Sequence, residues 1–230
     1  MSTAFIIPCA INNSRDTELA LNQVLHTLQS IHSAAPKANT ALVEYSLQAL
    51  SPEQKNSLLE ASSLLAEYQQ IERIQDIEIQ HDLLKADAVS AIASLAWFFG
   101  LCQRDKLFQQ TKHIVIMQAG AALDQATLAA IEENESGKFI FSPPENSSQD
   151  EPASVGSAGM RFNTAIWSLP TEQLDNLVQA LWQSLDYAFE RIQTGGYSDL
   201  GLALYKYLDS SEIFYIKNLC QQAFASTKSH

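Results

Sequence analysis

The residues of this chain that are able to do chemistry stand singly, each just past a short apolar run. Asn12 and Asn13 follow "AFIIPCAI", Glu44 closes "TALVE", Gln118 follows "IVIM", and Arg161 and Asn163 precede "AIWSLP". If those runs are parallel strands, such positions border the crevice outside their carboxyl ends, where ligands bind. Glu44 interrupts an otherwise apolar strand. Its carboxylate can accept hydrogen bonds from ribose hydroxyls or a base edge, or can cap neighbouring backbone amides. Lys85 and Asp87 open a helical pattern facing the same crevice; Lys85 can hold a diphosphate by charge or remain a solvated first-turn cation. Arg161 follows a glycine-containing loop and can fold over a phosphate or sit exposed. Asp199 comes shortly after Gly195-Gly196, where it can approach a substrate or cap the helix behind it.

Several chemistries are disfavoured. The five histidines have no metal-ligand spacing, and Cys9, Cys102 and Cys220 form no CxxC pair, so no metal is expected and a reducing, cytoplasmic setting fits better than a disulfide framework. No GxSxG, P-loop or GxGxxG occurs. With 26 acidic against 14 basic residues and no Lys/Arg run, nucleic acid is an unsuitable partner. The opening "MSTAFIIPCAINN" lacks a basic n-region and reads as a first strand rather than a signal peptide. The most apolar stretch, 91–102, is about half the length of a membrane span.

The elements that must position these residues alternate. Strands are expected at 4–8, 40–45, 113–117, 138–142, 163–170 and 212–216, with a further short one near Ile77–Ile79. Asp16 can cap a helix carrying Leu21, Val24, Leu25, Leu28 and Ile31 at helical spacing. "SPEQ" at 51–54 supplies an N-cap serine, a proline at N1 and a glutamine at N3, predicting a helix to about Tyr68. Further helices are expected at 83–101, 124–133, from Leu174 to the Gly195-Gly196 stop, from Ser198, and at the C-terminus. The pattern predicts one α/β domain over 1–225 with a polar tail at 226–230. Its core is a three-layer arrangement, a mostly parallel central sheet with helices on both faces. Residues 143–159, rich in Pro, Ser, Gly and acid, read as a flexible loop, either a lid or disordered.

The strand "AFIIPCAINN", the helix "LNQVLHTLQSIHSAAPKA", the strand "TALVEYS", and later "NTAIWSLPTEQLD" and "LGLALYKYL" together resemble small bacterial nucleotide-diphospho-sugar glycosyltransferases of the GT-A type, over about two thirds of the chain. The resemblance implies a domain that binds a nucleotide sugar and transfers the sugar to a glycan acceptor, often in surface polysaccharide biosynthesis. It implies Glu44 near the nucleoside, Lys85 and Asp87 near the donor and Asp199 in the region of a catalytic base; Asn12, Gln118 and Arg161, picked out by their positions past strands, join the nucleotide-sugar-binding set. GT-A enzymes commonly carry an Asp-x-Asp whose carboxylates hold Mn²⁺ or Mg²⁺ against the diphosphate. Here Gln118-Ala119-Gly120 stands at that strand exit, Ala165 stands where a basic residue is expected, and Gly201 where an acid is expected. Two readings follow. In one, a metal-independent transferase neutralises the leaving group with Lys85, Arg161 and backbone amides. In the other, an inactive α/β subunit binds a nucleotide or a protein partner.

Overall fold

The computed structural model describes residues 2–69, 74, 83–147, 159–217 and 219. Strand β1 (Ser2–Cys9) lies between β2 (Asn39–Glu44) and β4 (Thr111–Met117) and pairs in parallel with both. The short β3 (Leu64–Glu67) extends the sheet beyond β2. On the other side β8 (Ile166–Pro170) runs antiparallel to β4, followed by β5 (Phe139–Phe141) and β9 (Ile213–Tyr215). The resulting seven-stranded order is β3-β2-β1-β4-β8-β5-β9, so the expected sheet is mostly parallel, with β8 reversed.

Alternation along the strands sorts the core into two layers. Phe5, Ile7, Leu42, Val115 and Met117 face α1 (Thr17–Ala34), α2 (Pro52–Ala61) and α4 (Gln125–Glu132). Ile6, Val43, Ile114 and Ile116 face α3 (Leu83–Asp105), α5 (Leu174–Gln193) and α6 (Leu200–Tyr207). Helix α3 is long and apolar enough to cross a membrane by length and composition. It nevertheless packs as a core helix, with Ile92, Leu95, Ala96, Phe98 and Phe99 all buried.

Helix starts follow the predicted caps. Asp16 accepts the Leu19 amide at 2.9 Å, and Ser51 with Gln54 completes a capping box; a further cap, Asp124, accepts the Thr127 amide at 2.7 Å. The helix predicted from Ser51 to Tyr68 is too long. Ser62 turns extended and α2 ends at Ala61. Pairing with β2 then satisfies the backbone better than another helical turn would. The Ser63 amide donates to Thr40 O at 2.9 Å, the Tyr68 amide to Glu44 O at 2.7 Å, and the residues between them form β3.

The loop predicted over 143–159 also needs correcting at its ends. Glu145–Asn146 (β6) and Met160–Arg161 (β7) pair as an antiparallel ribbon, and the Ser147 amide reaches Gly159 O at 2.8 Å. The rest of that loop, the strand expected near Ile77–Ile79 and the C-terminal helix lie outside the described residues.

Candidate functional site

The chain direction of the crossovers reverses at β1, whose two parallel neighbours are reached on opposite sides, and a crevice opens past the carboxyl ends of β1 and β4. A cavity of about 240 Å³ lies there, bordered by Pro8 of β1 and Ile116 of β4. Four of the residues singled out in the sequence line it: Asp87, Gln118, Arg161 and Asp199. Tyr45, Trp167 and Tyr197, which sequence reasoning did not single out, complete its wall.

Asp87, Arg161 and Asp199 are held by identifiable hydrogen-bond partners. Asn13 accepts the Leu47 amide through Oδ1 at 2.8 Å and donates through Nδ2 to Asp87 Oδ1 at 2.9 Å, tying the first two strand exits to the start of α3. Arg161 donates through Nη1 to Asp199 Oδ2 at 2.6 Å, and Asp199 Oδ1 caps α6 by accepting the Leu202 amide at 2.9 Å. Arg161 Nε is 3.7 Å from Glu145 Oε1, within ion-pair range but beyond a hydrogen bond. Tyr45 is buried, and burial, then the Asp87 carboxylate, push its phenol up, so it lines the cavity as a neutral residue.

Asn12, Glu44 and Lys85 are not among the cavity-lining residues. Glu44 accepts the Ile11 amide at 3.2 Å, the Ser46 amide at 3.1 Å and the Ser46 hydroxyl. Asn12 sits one step further out. Its amide donates to Ser46 Oγ at 2.8 Å and its Nδ2 to Ala49 O at 2.8 Å, while Oδ1 accepts from Gln54. Glu44 and Asn12 therefore clamp the β1 exit to the β2 exit. Lys85 is two residues from Asp87 on α3, a spacing that does not place two side chains on the same face of a helix.

Burial raises the carboxyls of both Glu44 and Asp87, with hydrogen bonds from Ser46 and Ile11 in the first case and Asn13 in the second pulling back. The folded state therefore holds more protons than the unfolded chain over a window that opens near the usual 4.5 for Glu44 and 3.8 for Asp87. Their contribution to stability is present in full on the acid side and is lost as pH rises through the raised values. Urea midpoints measured from about pH 4 to about pH 7 should show this loss, and Glu44→Gln should flatten it.

The β4 exit does not fit a divalent cation. Gln118 offers one amide oxygen and Ala119 none. Gly120, at φ +90°, makes a bend whose amide donates to Thr27 Oγ1 at 2.9 Å, while Thr27 donates on to Ala121 O at 2.8 Å. The turn is fastened to α1 instead of presenting carboxylates. Among the described residues no group of three or more His, Cys, Asp or Glu side chains is arranged so that it could hold a metal ion.

The architecture is similar to that of several solved glycosyltransferases. Core-mannan synthase A from Aspergillus fumigatus, in its Mn/GDP form, aligns over 94% of this chain and 73% of its own at 12% identity, with a TM-score of 0.51. The galactosyltransferase LgtC, in complex with donor and acceptor sugar analogs, aligns over the same shares at 8% identity and a TM-score of 0.54. The chain has the GT-A fold. A glycosyltransferase involved in glycosylation of the major capsid of PBCV-1 aligns over 95% of this chain and 82% of its own at 7% identity and a TM-score of 0.50. No protein-family model matches the sequence, and no curated protein is significantly similar to it. At these identities the likeness carries the fold; the chemistry has to come from the cavity itself.

Proposed function

We propose that this chain binds a nucleotide-diphospho-sugar at the cavity between β1 and β4 and acts as a metal-independent glycosyltransferase. The observation that carries the reading is the convergence of Asp87, Gln118, Arg161 and Asp199 on one cavity, at the edge of the sheet where this architecture takes its ligands. Among the described residues that line the cavity Arg161 is the only cation, and in this reading it meets the donor's diphosphate. In transfer, the acceptor hydroxyl oxygen bonds to the anomeric carbon as the bond from that carbon to the diphosphate breaks, and the bonding pair leaves with the nucleoside diphosphate. The hydroxyl proton goes to Asp199. A diphosphate that draws Arg161 away from Asp199 Oδ2 frees that oxygen to take the proton, so donor binding and base activation are coupled. The acceptor is a glycan, with surface-polysaccharide synthesis in the cytoplasm as the setting that the sequence resemblance suggests.

A second reading, binding without turnover, is favoured by one observation. Both Asp199 oxygens are already engaged, one by the Leu202 amide and one by Arg161.

A thermal-shift panel of UDP, GDP, CDP and CMP sugars, run in EDTA and in Mn²⁺, tests the proposal. A ligand that binds only the folded state raises the melting temperature. A rise with one nucleotide series that persists in EDTA is expected. No rise with any series, or a rise only in Mn²⁺, overturns it. If binding is seen, release of nucleoside diphosphate on adding glycan acceptors separates turnover from binding alone.

A further inference from the structure

Trp167 is fully buried in β8, opposite Ile116 of β4, and lines the cavity. Its indole Nε1 has no acceptor among the described residues. A buried N–H left unpaired costs stability, and native proteins keep few of them. The ring also has little freedom to find a partner elsewhere. It stacks on Phe141 at 5.2 Å between centroids and 9° between planes, and Phe141 stacks in turn on Phe162 at 4.2 Å and 17°. The ring of this cavity-lining residue is thus fixed in position, and its donor has no acceptor among the described residues.

The charges around the cavity limit what that acceptor can belong to. Arg161 is paired with Asp199, Glu145 stands beside its Nε, and a second carboxylate, Asp87, lines the same cavity. An additional anion enclosed among these groups would meet repulsion from two carboxylates with one already paired cation to offset it. A neutral ring bearing hydroxyls meets no such penalty. It can accept from an indole N–H and donate to Asp87 and to Gln118. The volume of about 240 Å³ is below the usual range for whole drug-sized ligands and suits one sugar ring better than an entire nucleotide sugar.

We infer that the Trp167 indole N–H is the specificity-determining donor of this cavity, hydrogen-bonding the uncharged hexose ring of the bound nucleotide sugar and selecting it over a hexuronate. This rests on the nucleotide-sugar reading given above and goes beyond it by naming the residue that reads the sugar and the charge class of that sugar. Arg161 lies with the diphosphate at the cavity's edge, and Trp167 with the sugar inside it.

The test compares the wild type with Trp167→Phe, which keeps a ring on Phe141 and deletes the donor. Calorimetric titrations use UDP, UDP-glucose and UDP-glucuronate, and GDP with GDP-mannose. In the wild type, the sugar conjugate of the preferred base should bind more tightly than the diphosphate alone, and UDP-glucuronate should bind less tightly than UDP-glucose if uridine is preferred. In Trp167→Phe, hexose-conjugate affinity should fall about fivefold to tenfold, the worth of one lost hydrogen bond, with affinity for the bare diphosphate unchanged. Each comparison is made within one variant, so a shift in overall stability does not move it. An unchanged ratio of conjugate to diphosphate affinity overturns the role of Trp167 and leaves nucleotide-sugar binding standing. Tighter binding of the glucuronate overturns the neutral-sugar assignment. Failure of every nucleotide and conjugate to bind overturns the parent reading together with this one.

Discussion

Arg161→Met is expected to cut nucleotide-sugar affinity by about tenfold or more, the worth of a hydrogen bond to a charged group. The guanidinium contributes at two levels. It ties β7 to the start of α6 through Asp199 Oδ2, with both side chains mostly shielded from solvent, and it supplies the only positive charge among the described residues that line the cavity. Methionine fills much of the same space but leaves Asp199 with a single partner, the Leu202 amide. Some loss of stability, about 1–3 kcal/mol, should accompany the loss of affinity because a shielded carboxylate is left without its counterion. Arg161→Lys should restore charge but only part of the affinity, since an ammonium cannot hold a phosphate with two parallel N–H donors of one planar fork. Calorimetric titration together with thermal melts of the three proteins separates the two effects. Unchanged affinity in Arg161→Met would remove this residue from donor binding.

The second large effect is expected from Gly201→Ala. A Cβ at this position would lie 2.3 Å from the carbonyl oxygen of Phe162 and 3.4 Å from Asp199 Oδ1. The two backbones are also joined at this point, with the Phe162 amide donating to Gly201 O at 3.2 Å. Phe162 cannot retreat cheaply, because its ring is stacked on Phe141 and, through it, on Trp167. Overpacking against fixed backbone costs about 3 kcal/mol, which for a chain of this length corresponds to a fall in melting temperature of roughly 6–12 °C. Donor affinity should fall as well, since Asp199 and Arg161 border the displaced segment. A melting temperature within about 2 °C of wild type would show that α6 can move away from Phe162, against this account.

The same contact explains a departure that the sequence displays without its cause. Gly201 stands where the resemblance implies an acid, and close approach to Phe162 leaves no room for any side chain. Much of the architecture was legible because strand and helix periods differ and because Asp16, Ser51 and Asp199 announce helix starts by their side chains. The edge strand Leu64–Glu67 was not legible. A short apolar run after Ser62 and Ser63 is locally compatible with helix, and only pairing with β2 decides it. The reversed direction of β8 is likewise set by its partners, β4 and β5, which lie far away in sequence.

At the site, position after a strand or at a helix start picked out Asp87, Gln118, Arg161 and Asp199. The same rule picked out Glu44 and Asn12, whose hydrogen bonds turn towards neighbouring backbone and towards Ser46 and Gln54. Nothing local separates a carboxylate that faces a cavity from one that clamps two loops. Tyr45 carried a usable signal, since it directly follows Glu44 at a strand exit. Trp167 carried none. Inside a buried strand it reads as core, and its unpaired indole N–H exists only once the surrounding elements have packed.

The central claim, that the cavity receives a nucleotide sugar with side chains in place of a dication, is tested most directly by a crystal structure grown in EDTA with the conjugate that gives the largest thermal shift. The account predicts the sugar ring enclosed within hydrogen-bonding distance of Trp167 Nε1, the diphosphate on Arg161, and Asp199 Oδ2 released from the guanidinium. A nucleotide sugar seated away from this cavity, or one that binds only with a cation bridging its phosphates to the protein, would contradict it.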